Sequence, residues 1–132
     1  MEPLAELARM HLMNAEDELG MSERVLSKAE PEYWSALFHA QMSVEEALVG
    51  LLTYHGIGAD DFNNIEDLLN HGLHLLPELE KVKDKVSLLA SYDTASGNLA
   101  QYNYVKKEEA SQAIDTARKI FDCISNSIQE IS

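Results

Sequence analysis

Three groups of side chains in this chain have types and spacings that chemistry needs. Asp67, His71 and His74 place a carboxylate and two imidazoles on successive turns of one helical segment. Such donors bind divalent metals. No further ligand stands near them, and all three fall on the side away from the leucines, so a solvated polar face is the simpler expectation. His39, Gln41 and Glu45 sit within two turns at the edge of an apolar segment. An imidazole, an amide and a carboxylate there either move protons or satisfy buried polar partners, and the second role is expected. Tyr92, Asp93, Asn98, Gln101, Tyr102 and Tyr104 gather phenols and amides around a turn. These suit contact with a base or a partner peptide, and equally the anchoring of a loop, since aromatic groups pack before they recognise.

Other chemistries find no footing. No Glu-x-x-His pair occurs, so a di-iron bundle is not supported, and no glycine loop of the phosphate-cradling type is present. Cys123 falls at the flank of a helical core face, where a small packing residue is the default. No cofactor and no catalytic residue is therefore expected.

The elements that position these side chains are helical throughout. Of the 132 residues, 45% are hydrophobic, enough for one domain spanning 1–132 with a real core. Pro3 to Ala29 keeps Leu4, Ala8, Leu12, Ala15, Leu19 and Leu26 on one face. The stretch Tyr33–Ile57 is apolar or small over most of its circumference and predicts the buried centre of a bundle. Its Ala36, Ala40, Ser43, Ala47 and Gly50 form a small-residue stripe, fit for close helix packing within the chain or for a dimer seam. Gly58 to Asn64 is a loop, and Asn63 with Glu66 resembles a capping arrangement. A short helix follows with Leu68, Leu69, Gly72 and Leu73 on one side. Pro77 breaks the chain, and Glu78 to Tyr92 forms the next helix. Turn formers fill 93–98, and Ala110, Ala113, Ala117, Ile120, Ile124, Ile128 and Ile131 define the last helix. The expected fold is all-α: an antiparallel up-and-down helical bundle of four long helices plus a short one.

The formal net charge is −13, and it lies entirely in the first part of the chain. Residues 1–80 hold 16 acids and three bases, whereas residues 81–132 hold seven of each. Such a surface repels phosphate backbones, so DNA or RNA binding is not expected. No apolar run is long enough to span a membrane, the start Met-Glu-Pro-Leu is unlike a signal peptide, and the single cysteine agrees with a reducing cytoplasm.

The order of the pieces resembles the HEPN domain family. Leu12 to Leu19 looks like its first-helix pattern of alanine, acid and leucine. Tyr33, Ser35, Ala36, Phe38, His39, Ala40, Gln41, Val44, Glu45, Ala47 and Leu48 resemble its second-helix signature, and Glu108 through Ile120 its final helix. The resemblance covers roughly residues 8 to 128. It implies an antiparallel bundle, commonly a homodimer, often working beside a small nucleotidyltransferase and sometimes in toxin–antitoxin pairs. Many relatives are ribonucleases whose signature is an arginine followed, after four to six residues, by a histidine. Here none of Arg9, Arg24 and Arg118 is so followed. The fixed cation and proton-moving imidazole of that motif have no counterpart. The turn at Tyr92 to Tyr104 stands about where active relatives carry it.

The leading expectation is a non-catalytic interaction module with a protein partner, possibly a nucleotidyltransferase. A nucleotide or small-molecule binder using the Lys81–Lys85 or Lys106–Lys107 neighbourhood is the alternative, and a ribonuclease with a displaced site the third.

Overall fold

The computed structural model of the chain describes residues 3–62, 64–92 and 105–131. Among the described residues five α-helices carry the fold: α1 (Pro3–Leu26), α2 (Tyr33–Tyr54), α3 (Ile65–Leu75), α4 (Lys83–Ala90) and α5 (Lys107–Ile131). Two 3-10 turns, Ala59–Asp61 and Pro77–Val82, join them. No strand occurs among the described residues, so the fold is all-α as expected.

The small residues explain how α1 and α2 meet. Ser43 Oγ donates to the Ala15 carbonyl at 2.7 Å, and Ser22 Oγ to the Ala36 carbonyl at 2.5 Å. A Cβ on Gly50 would stand 3.2 Å from the Ala8 carbonyl oxygen. Residues 8, 15 and 22 of α1 thus oppose 50, 43 and 36 of α2, in steps of two turns. The rising and falling numbers make the pair antiparallel, and the seven-residue step keeps one seam in register. Only alanine, serine and glycine allow backbones this close. The stripe is therefore consumed inside the chain, and a homodimer has to use another surface.

Around this pair α2 is the central element. Leu37, Val44, Leu48, Leu51 and Leu52 are completely or almost completely buried. Each such side chain is worth about 1.5–3 kcal/mol on burial, more than any single cap or ion pair here. Helix α5 brings Ala113, Ala117, Ile120 and Ile124 against this core, and α3 brings Leu68 and Leu69. α2 ends in a Schellman arrangement: Ile57 N–H bonds the Leu52 carbonyl and Gly56 N–H the Thr53 carbonyl, both at 2.9 Å. Gly56 takes φ 78°, the left-handed conformation that such an end requires.

Three details depart from the sequence expectation. First, α1 stops at Leu26, and Leu4 is 46% exposed rather than core-facing. In the seam's register Leu4 lies opposite Tyr54, the last residue of α2, so it finds only the helix end to pack on. Second, the cap of α3 is Asn64, whose Oδ1 accepts the Asp67 N–H at 2.9 Å. Asn63 lies outside the described residues. Third, the stretch after Pro77 is not a fourth long helix. It begins as a 3-10 turn, with Leu79 N–H bonding the Leu76 carbonyl, and becomes α-helical only at Lys83. The tighter turn brings the fully buried Leu79 over Gly72, where a Cβ would meet Leu79 Cδ1 at 3.3 Å.

Candidate interaction surfaces

The side chains with chemical potential are largely spent on holding helices together. His39 Nδ1 lies 3.4 Å from both carboxylate oxygens of Glu18, and His11 Nδ1 lies 2.9 Å from Glu46 Oε2. Each histidine N–H donates across the α1–α2 seam. The two pairs stand seven residues apart on each helix, with acid and imidazole exchanged, so both line one edge of the seam. His11, Glu18 and Glu46 were not evident as a set from the sequence. Their three-residue offset from Ala8, Ala15 and Ser43 is the signal that locates them once the seam is known.

Gln41 is buried and reaches from α2 to the end of α4. Its Nε2 donates to the Leu89 carbonyl at 2.9 Å and to the Tyr92 carbonyl at 2.7 Å. The Leu89 carbonyl also accepts the Tyr92 N–H at 3.4 Å, so Gln41 adds to the capping of the α4 end. Glu45, one turn further along α2, has its carboxyl pushed above the ordinary range, first by burial and then by the neighbouring Glu46 charge.

Tyr92 lines a cleft of about 260 Å³ between α4 and α5. Leu37, Leu88, Leu89 and Ala113 form its apolar wall, and Lys85, Glu109 and Asp115 its charged lining. Glu109 accepts the Tyr92 hydroxyl and, through its other oxygen, the Lys106 N–H at 3.0 Å. The second bond is half of a capping box at the start of α5. These hydrogen bonds hold the Glu109 carboxyl below its usual range. Burial, followed by the hydrogen bond to Glu109, pushes the Tyr92 phenol up to about 12, so it remains a donor. The other residues expected beside it, Asp93, Asn98, Gln101, Tyr102 and Tyr104, lie outside the described residues.

Asp67, His71 and His74 do not converge. All three are exposed on α3, and the His71 ring packs on Phe62 with centroids 4.3 Å apart. Among the described residues no three His, Cys, Asp or Glu side chains are gathered to hold a metal. His55, a cap-region position at the end of α2 from its sequence, is the exposed C-cap of that helix. Cys123 is partly buried, and burial together with Glu78 raises its thiol above the ordinary range.

The outer side of α1 and α2 carries exposed and half-buried apolar side chains. Leu7, Met10 and Met21 are exposed along α1, and Phe38, Met42 and Val49 are half-buried along α2. Leu7 and Met21 immediately precede the seam residues Ala8 and Ser22. Met42 and Val49 likewise precede Ser43 and Gly50. Leu7, Met21, Met42 and Val49 therefore flank the His–Glu edge on the same side of the pair, with Met10 and Phe38 further round their helices. No described helix is long and apolar enough to cross a membrane.

The family profile described as HEPN domain matches residues 8–128 of the chain. No curated protein and no solved structure gives a significant match.

Proposed function

We propose that this chain, which belongs to the HEPN domain family, is a non-catalytic interaction module that works in the cytoplasm on a protein partner, plausibly a nucleotidyltransferase of the kind that accompanies relatives. The observation that carries this reading is the contrast between engaged polar groups and open apolar ones. His11, His39, Gln41 and Glu109 each bridge two elements. Met10 and Leu7, by contrast, stand 59% and 44% exposed. Exposed apolar rows with acidic borders are what a docking surface presents. The chain also lacks the arginine–histidine spacing of the family's ribonucleases.

The α4–α5 cleft favours this over the nucleotide reading. Among the described residues Lys85 is the only lysine or arginine that lines it, set among Glu109 and Asp115. That balance disfavours a ligand carrying several phosphates.

Incubation of the purified chain with structured and single-stranded RNA checks the non-catalytic half of the proposal. Intact RNA at stoichiometric protein is the expected result, and cleavage that copurifies with the folded chain overturns it. A thermal-shift screen against mono-, di- and triphosphate nucleotides is expected to be flat.

A further inference from the structure

We infer that the open side of the α1–α2 pair is a groove for an amphipathic helix of a partner protein, apolar on one face and basic on its flanks; this rests on the reading of the chain as an interaction module. The groove has two walls with apolar residues, Leu7 and Met21 on α1, one on each side of Asn14, and Met42 and Val49 on α2. Its floor is the seam edge closed by His11–Glu46 and His39–Glu18. From Leu7 to Met21 the α1 wall runs about 21 Å, the length of a helix of about four turns. Methionine walls adapt to the side chains that enter them, as helix-in-groove recognition requires.

Charge selects the occupant. Asp17, Glu18, Glu45 and Glu46 border the groove. The two arginines of α1 are placed elsewhere. Arg9 directly follows the seam residue Ala8, the same offset that puts Glu23, after Ser22, against Arg118 of α5 at 3.0 Å. Arg24 folds back over Gly20, with Nη1 3.3 Å from the position of a Cβ there. α2 carries no lysine or arginine. A helix flanked by lysine or arginine meets complementary potential here. A second copy of this face would set Glu18 and Glu46 against their own like, and an anionic membrane surface would be repelled.

The test uses a fluorescently labelled synthetic helix of about five turns, leucine on one face and lysine elsewhere, and its glutamate counterpart. Binding is followed by anisotropy for the wild-type chain, the double variant Leu7→Lys/Met21→Lys, and Leu88→Lys. All three substituted residues are exposed, so helicity by circular dichroism stays unchanged. The lysine peptide is expected to saturate the wild type at one per chain. The double variant should lose roughly tenfold in affinity, on the scale of a contact hot spot, and Leu88→Lys none. Equal binding by all three proteins, or equal binding of the glutamate peptide, overturns the assignment. So does a wild-type dimer that the double variant dissociates, because the occupant is then a second copy. Loss of zwitterionic vesicle binding in the double variant would likewise overturn it in favour of a lipid surface. A natural partner held equally by the double variant sinks this groove but leaves the interaction module standing, whereas no partner at all sinks both.

Discussion

The α1–α2 pair and the junction of α4 with α5 solve the same problem in different ways. In the pair, contact residues recur every seven positions, and each device appears more than once: two serine hydroxyls on facing carbonyls and two His–Glu bridges. At the junction each device appears once: Gln41 on the end of α4, and Glu109 on both Tyr92 and the start of α5. A repeated seam shares its load among equivalent positions. A junction held by single groups should loosen locally when one is removed. The first region thus offers a rigid platform for docking, and the second is where local opening is cheapest.

The largest effect expected is from Gly50→Val. Even a Cβ there stands 3.2 Å from the Ala8 carbonyl oxygen and 3.3 Å from His11 Cβ, and neither can retreat without parting the helices. Urea denaturation should show a loss of about 3 kcal/mol. An unchanged midpoint would mean the helices are further apart than described. Next is Gln41→Ala, which removes the hydrogen bonds to the Leu89 and Tyr92 carbonyls and should cost about 1–3 kcal/mol. Hydrogen exchange should speed up in α4 while α1 and α2 keep their protection, and a uniform loss would erase the contrast between regions.

His11→Ala should cost about 1 kcal/mol or less, since its ion pair is only partly buried, and His39→Ala, with its longer contact, less still. The two carboxyls shifted in opposite directions give the finest test. Glu45 has a raised folded pKa, so its contribution is present in acid and lost as pH rises through that value. Glu45→Gln should therefore be slightly more stable than wild type at neutral pH, by about 1–2 °C, with the gain vanishing in acid below the ordinary carboxyl value of 4.5. Glu109 has a lowered pKa, so its contribution is present above the ordinary value and lost as pH falls through the folded one. Glu109→Gln should be less stable at neutral pH by about 0.5–1 kcal/mol, the scale of a helix cap, and equal to wild type in acid. Thermal melts across pH 3 to 7, a range of about four units spanning carboxyl titration, read both signs. Parallel curves for the two variants would contradict the opposite environments.

Much of the fold was legible because it depends on periodicity. The face of α5 from Ala110 to Ile128 and the glycine end of α2 follow from spacing and backbone freedom alone. The small-residue stripe of α2 was visible, but its use was not, because a helix face of alanine and serine suits a neighbour in the same chain or another. Only the matching stripe of Ala8, Ala15 and Ser22, set in register, decides it. The long fourth helix was misjudged since Leu79, Val82, Val86 and Leu89 fit a helical repeat equally well when the first turn is 3-10. The groove was least legible. Leu7 and Met21 read as scattered apolar residues until the seam fixes which way α1 faces, and the His–Glu pairs join residues 21 and 35 apart in sequence.

The central claim, that the chain acts by holding a partner, is tested most directly by light scattering and mass spectrometry on tagged protein recovered from its source cells. The account predicts a complex in which the 14.8 kDa chain is joined stoichiometrically by a second, different protein, with a hold that weakens as salt rises. Recovery of this chain alone, as monomer or as a bare multiple of itself, would contradict it.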